Sequence, residues 1–208
     1  MGAGRQPFFT VGYSNHSLQE FVVLLKKHGI SAVADVRSEP YSRFNPQFNR
    51  ETLSKELKLH GIEYVFMGRE LGARSEDSAC YEDGRVQYEL LARTPLFLEG
   101  IDRLLHGASK YKITLMCAEK DPIQCHRALL VARKIFELGI PVFHIINEDG
   151  NIESHQELEA RLLATCRLPE EDFFNSREDF ISQAYLIQGN RIAFQDKAMK
   201  QEKRIQTS

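Results

Sequence analysis

Ile113-Thr-Leu-Met-Cys-Ala-Glu-Lys-Asp-Pro-Ile-Gln-Cys-His-Arg127 is the stretch whose reading decides the fold. The apolar start, Ile113–Met116, reads as a buried strand, Cys117–Arg127 as a polar loop, and the run Ala128–Leu138 as a helix. Within the loop, Asp121-Pro122-Ile-Gln124 combines an N-cap, a proline at the first helical position and a capping-box partner, so a helix is expected to begin there. The same order recurs on both sides. Polar residues gather in five loops, Gly12–Ser17, Asp35–Phe48, Met67–Arg74, Cys117–Arg127 and Asn147–His155, each after an apolar run. With parallel strands, all five loops lie along the carboxyl edge of one sheet, where open α/β folds bind ligands.

Working outward, strands are expected at Phe8–Val11, Ile30–Val36, Ile62–Phe66, Tyr111–Met116 and Pro141–Ile146. Helices are opened by the capping boxes Ser17/Glu20 and Ser154/Glu157, by Asn49, and by Thr94-Pro95; Gly29 and Gly61 stop the first and the Asn49 helix, and Gly139 stops the one expected from Asp121. Arg69–Arg85 is polar and turn-rich and reads as a loop or flap. The pattern predicts an α/β fold: a single doubly wound, mostly parallel sheet of about five strands over residues 8–168, with helices on both faces. Residues 169–208 form a polar C-terminal extension whose charged end, Lys197–Ser208, is expected to fray.

The 208-residue chain is 42% apolar and 27% charged, as in ordinary soluble domains, and is too short for an eight-stranded barrel. Its net charge of −2 gives no global attraction to nucleic acid or anionic membrane, though a local basic patch stays open. No apolar run approaches the ~20 residues of a membrane span, and Met1–Pro7 lacks a signal-peptide apolar stretch. Cys80, Cys117, Cys125 and Cys166 form no disulfide framework, so reduced thiols in the cytoplasm are expected. Composition indicates neither a cofactor nor an oligomeric state.

Chemistry concentrates at a few positions. Cys117 ends a strand facing the cleft, and Cys125, His126 and Arg127 fall in the first turns of the expected helix. Backbone N–H groups and the helix dipole there favour an anion and lower a thiol pKa, which makes Cys117 or Cys125 a candidate nucleophile and leaves Cys80 without such support. The plainer alternative is that these cysteines are small buried hydrophobes. Glu119 and Asp35 are candidate carboxylates for acid, base or nucleophilic work. A metal reading draws on Cys117, Cys125, His126 and His155. Against it stand the absence of Cys-x-x-Cys and the roughly 100° between adjacent residues on a helix, so no metal ligand is assigned. Arg37, Ser42 and Arg43, with Tyr41, Phe44 and Phe48 interleaved, suit a phosphate-bearing or planar ligand, or else a loop pinned by ion pairs. Ser14 and Asn15 are expected to reach the same cleft, as is His16, for which plain exposure before a cap is the alternative. His155, at the start of a helix, is disfavoured in its charged form and is expected at the cleft as a neutral hydrogen-bonding or ligand group that binds substrate.

These residues carry a resemblance. Gly12-Tyr-Ser-Asn-His-Ser17, Asp35-Val-Arg-Ser38, Ser42-Arg43 with Phe48, Leu71-Gly72, Cys117-Ala-Glu119, Cys125-His-Arg127, His144-Ile145, Asp149-Gly150 with His155, and Gln188-Gly-Asn-Arg-Ile-Ala193 are similar to the family called domain of unknown function 488. It departs at Ala73-Arg74, where members often continue Leu-Gly with a second glycine. The resemblance implies a site built from Cys117, Glu119, Cys125-His-Arg127, Asp35, Arg37 and Arg43, and implies no reaction. Asp35-Val-Arg37 with a later cysteine is also similar to rhodanese-like domains. The expectation is an enzyme acting on a phosphate-containing or nucleobase-like substrate, with Cys117 or Glu119 as reactive group, Arg37, Arg43 and Arg127 binding the anion and His126 assisting proton transfer. A non-catalytic nucleotide- or nucleic-acid-binding module and a Cys/His metal-dependent protein are the alternatives.

Overall fold

Side chains alternate across a strand, and both faces of these strands are apolar. Phe9, Val11, Val33 and Met116 join one core cluster, while Phe8, Ala32, Ala34 and Leu115 join another on the opposite face. In the computed structural model, which describes residues 6–14 and 16–197, that pattern becomes a three-layer α/β fold. Asn15 and residues 198–208, with most of the segment expected to fray, lie outside the described residues.

The chain runs β1 (Phe8–Gly12), α1 (Leu18–Lys27), β2 (Ala32–Asp35), α2 (Arg50–Leu59), β3 (Glu63–Phe66) and α3 (Gly68–Leu71). A small hairpin follows, β4 (Tyr81–Glu82) and β5 (Arg85–Val86), then α4 (Tyr88–Leu91) and α5 (Pro95–Gly107). The last part is β6 (Ile113–Cys117), α6 (Arg133–Glu137), β7 (Val142–Ile145), β8 (Ile152–Ser154), α7 (His155–Cys166) and α8 (Arg177–Ile192). The main sheet has the order β3-β2-β6-β1-β7-β8. All its pairings are parallel except the antiparallel β7–β8. The mostly parallel sheet was legible; its sixth strand was not, because three residues between a turn and a cap are too short for a period-two pattern.

Two of the expected capping boxes form, at Ser17/Glu20 and Ser154/Glu157. Asn49 precedes α2 but makes no cap bond, because its Oδ1 instead accepts the Ser42 N–H at 2.7 Å. The stretch after β6 also differs from expectation. Asp121 caps a single 3-10 turn, Pro122–Gln124, and Cys125 then returns to extended backbone at φ −142°, ψ 137°. The helix starts again as a π-helical stretch, Arg127–Ala132, that runs into α6. Cys125 therefore stands in front of the helix and only His126 begins it. The expected flap at 69–85 is ordered by Leu71, Cys80 and Val86, each buried.

Helices α1 and α2 cover one sheet face through Phe21, Leu25, Leu53 and Leu57. Helix α5 and the helix after β6 cover the other through Phe97, Ile101, Leu130 and Ile135. The winding thus changes face between β6 and its neighbours β1 and β2, and a crevice opens at their carboxyl ends. In the C-terminal segment, Phe180, Ala184 and Tyr185 of α8 pack on Leu158 and Leu162 of α7. Gln188 Nε2 donates to Ile123 O at 3.0 Å, which ties α8 to the loop after β6.

Candidate active site

The crevice holds a cleft of about 400 Å³ whose lining includes Tyr13, Arg37, Cys117, Glu119, Cys125 and His126. Asp35 and Cys117 end neighbouring parallel strands at the same edge, with Asp35 opposite Met116 and Gly12 opposite Cys117. Loops from different strands are zipped together: Tyr13 N–H donates to Cys117 O at 3.1 Å and Ser14 N–H to Ala118 O at 3.0 Å. Arg127 is fully buried beneath the 117–127 loop, and its guanidinium donates to the carbonyls of Glu119 (2.6 Å) and Lys120 (3.1 Å). It shapes the loop from inside and is not part of the cleft lining.

The floor of the cleft is a sulfur–imidazole cluster. His126 Nε2 lies 2.8 Å from Val36 O, and a carbonyl only accepts, so Nε2 carries the proton and Nδ1 is turned inward. Nδ1 faces two sulfurs, Cys117 Sγ and Cys125 Sγ, each at 3.9 Å. Cys125 Sγ also lies 3.0 Å from Glu119 Oε2 and accepts the Arg127 backbone N–H at 3.4 Å. Both cysteines and His126 are almost entirely buried. Burial alone would raise the Cys125 thiol, but the Cys117 thiol, the Arg127 charge and His126 outweigh it and hold Cys125 well below the usual range. The neighbouring Cys125 sulfur and burial push Cys117 the other way. Burial and then Cys125 raise the Glu119 carboxyl. For His126, burial acts downward, but Cys125 and the Val36 carbonyl raise it overall. The cluster therefore favours one negative charge, centred on Cys125.

Cys117 Sγ, Cys125 Sγ and His126 Nδ1 lie within 4.8 Å of one another, a grouping of the size that one metal ion occupies. The 100° objection to adjacent ligands does not apply, because Cys125 is extended and only His126 begins the helix.

One wall of the cleft is Arg37. Its Nε and Nη2 fork onto Asp35 at 2.8 and 2.6 Å, and Nη2 also reaches Phe48 O at 2.9 Å. Tyr64 OH donates to the same carboxylate at 2.7 Å, so Asp35 is fully engaged and 0% exposed. The guanidinium carbon lies 5.0 Å from the Tyr13 ring centroid. Arg37 Nη1 is buried and makes no hydrogen bond of ordinary geometry, with the Tyr13 side chain beside the guanidinium.

A family model described as domain of unknown function DUF488 matches residues 17–133, more than half of the chain. The chain belongs to this family. Comparison with curated proteins and with solved structures gave no match. The matched part of this DUF488 chain contains Asp35, Arg37, Cys117, Glu119 and Cys125-His-Arg127, so most of the cleft floor and its arginine wall lie inside it.

The remaining expected residues of the DUF488 chain are placed differently. Ser42 lines the cleft, and its hydroxyl accepts the N–H groups of Phe44 and Asn45. Arg43 is exposed in the same loop and is not part of the lining. Phe44 is 94% exposed, whereas Phe48 is buried between Tyr13 and Phe21 and offers no face to a ligand. His155 is buried away from the cleft, with Nδ1 3.0 Å from His144 Nε2 and Nε2 2.8 Å from Tyr185 OH. Cleft residues beyond the expected set include Tyr13, Tyr88, Arg74 and Phe194. Tyr13 lay inside a loop already marked as polar and was the one with a sequence signal. Arg74 pairs with Glu39, and its guanidinium carbon lies 4.6 Å from the Phe194 ring centroid.

Proposed function

We propose that this DUF488 chain is an enzyme acting on a small phosphate-bearing or nucleobase-like substrate, held between Arg37 and the Cys117–Cys125–His126–Glu119 cluster. The observation that carries this reading is that the Arg37 guanidinium lines the same cleft as the Cys117–Cys125–His126–Glu119 cluster. Its Nη1 makes no hydrogen bond of ordinary geometry, although Tyr13 lies close enough to favour its charge, and an anionic oxygen from a ligand would pair it. Asp35 and Tyr64 act as positioning residues, since together they fix the plane of the guanidinium. Tyr41 and Tyr88 offer rings to a planar group. The cluster is the reactive centre, with Glu119 in place to move a proton to or from it.

Arg37→Lys keeps the charge and removes the fork, so affinity for an adenosine monophosphate or inorganic phosphate probe should fall more than about tenfold. Isothermal calorimetry reads the affinity and circular dichroism checks the fold. Wild-type affinity in a folded Arg37→Lys protein would make Arg37 purely structural. In that case the anionic substrate is withdrawn. Arg43→Lys, outside the cleft lining, should leave binding unchanged.

A further inference from the structure

We propose that Cys117, Cys125 and His126 bind one thiophilic divalent ion of the zinc class, with its remaining coordination position open to the cleft. Two sulfurs and one imidazole nitrogen are the donors such ions select. Tetrahedral bonds of about 2.3 Å to sulfur and about 2.0 Å to nitrogen place donor atoms roughly 3.5–3.8 Å apart. The two sulfur–nitrogen separations here are both 3.9 Å, and all three atoms fall within 4.8 Å. Those distances are long for a direct imidazole–sulfur hydrogen bond and need only a few tenths of an ångström to close on a shared ion.

The surroundings fit the same reading. His126 presents Nδ1 to the sulfurs because Nε2–H is spent on Val36 O, the backbone-carbonyl support that fixes the tautomer of a metal-bound histidine. Glu119 touches Cys125 but is not one of the three mutually close donors. Three protein ligands and an open position are the pattern of a catalytic rather than a structural zinc site. All three ligands line the cleft, so water or substrate reaches the fourth position. The same division, a Cys/Cys/His set beside a carboxylate that is not a ligand, serves the zinc-dependent base deaminases.

The metal centre presupposes the reading of the cleft as an active site, but metal content is measured without any substrate, so either can fail alone. The full chain, purified without a metal-binding tag, should carry about one ion by mass spectrometry. After chelation under reducing conditions it should take up cobalt(II) and show thiolate-to-cobalt charge-transfer absorption. Cys117→Ser, Cys125→Ser and His126→Gln should each weaken ion binding by more than the roughly 10- to 100-fold that loss of a supporting outer partner brings. Glu119→Gln and Cys80→Ser should keep one ion per chain. If the ligand variants do not fold, the cobalt spectrum of the wild type still decides. A reduced, folded wild type that binds neither zinc nor cobalt overturns the proposal, and so does loss of the ion in Cys80→Ser. A Cys117–Cys125 disulfide formed in air by a protein that binds no ion would assign the pair to redox chemistry instead.

Discussion

Gly12→Ala should destabilise the protein by about 3 kcal/mol or more and disorder the loop that forms the cleft floor. A Cβ on Gly12 would overlap the Glu119 carbonyl oxygen and lie 2.7 Å from the carbon that bears it. These are backbone atoms, so no rotamer change relieves the clash. The carbonyl cannot swing aside freely, because Arg127 holds it at 2.6 Å. Nor can the strand slide, since Gly12 is in register with Cys117. Denaturant midpoints of Gly12→Ala and wild type read the effect, and the cobalt spectrum reports the loop. An alanine variant with wild-type stability would mean that the two loops are not packed as described.

Acid should weaken the fold well before most carboxylates titrate. Thr10, His144, His155, Tyr185 and Glu159 form one buried chain of hydrogen bonds with links of 2.8, 3.0, 2.8 and 3.2 Å. With Tyr185 donating to Glu159, each imidazole carries one proton and each ring nitrogen has a partner. An extra proton would set N–H against N–H. Burial, followed by His155 and Arg127, holds His144 well below the ordinary range, and burial with Arg133 pushes His155 down to about 3. Both folded-state values lie below the unfolded value near 6.5, so the unfolded chain takes up the protons first. The stabilisation is complete above that pH and is lost as pH falls toward the folded-state values. Each histidine contributes at most about 1.4 kcal/mol per pH unit, so the pair should remove about 2 kcal/mol between about pH 7 and pH 5.5. Glu159, raised by burial, works the other way at lower pH. Urea midpoints of wild type and His155→Gln should converge on acidification, and subtracting the two isolates His155 from His16 and His28, which burial also lowers. Parallel pH profiles would remove His155 from the account.

The sheet and its carboxyl edge were legible because local signals agreed. Ser17/Glu20 and Ser154/Glu157 mark helix starts within a few residues, and runs such as Ile113–Met116 admit few readings. Details set by long-range packing were hidden. Arg37 looked like a free fork, yet two of its three nitrogens serve Asp35 and Phe48, a use that depends on how the 35–48 loop folds back. Asp121-Pro122 announced a helix, but the helix waits until Arg127 because Cys125 extends toward Glu119. The histidine at the start of α7 faces inward rather than toward the cleft, since His144 and Tyr185 offer it partners.

The π-helical stretch from Arg127 to Ala132 has a genetic consequence. A π turn holds one residue more than an α turn of the same reach, so a single-codon deletion within it would yield an ordinary helix. The extra residue is taken up inside the turn, so Cys125 and His126 would keep their direction relative to α6 after the deletion. The sheet, the helix core and the sulfur–imidazole grouping would survive together. In this fold one codon beside the cysteine–histidine pair is dispensable, and the same loss in the plain α-helical part would turn the pair away.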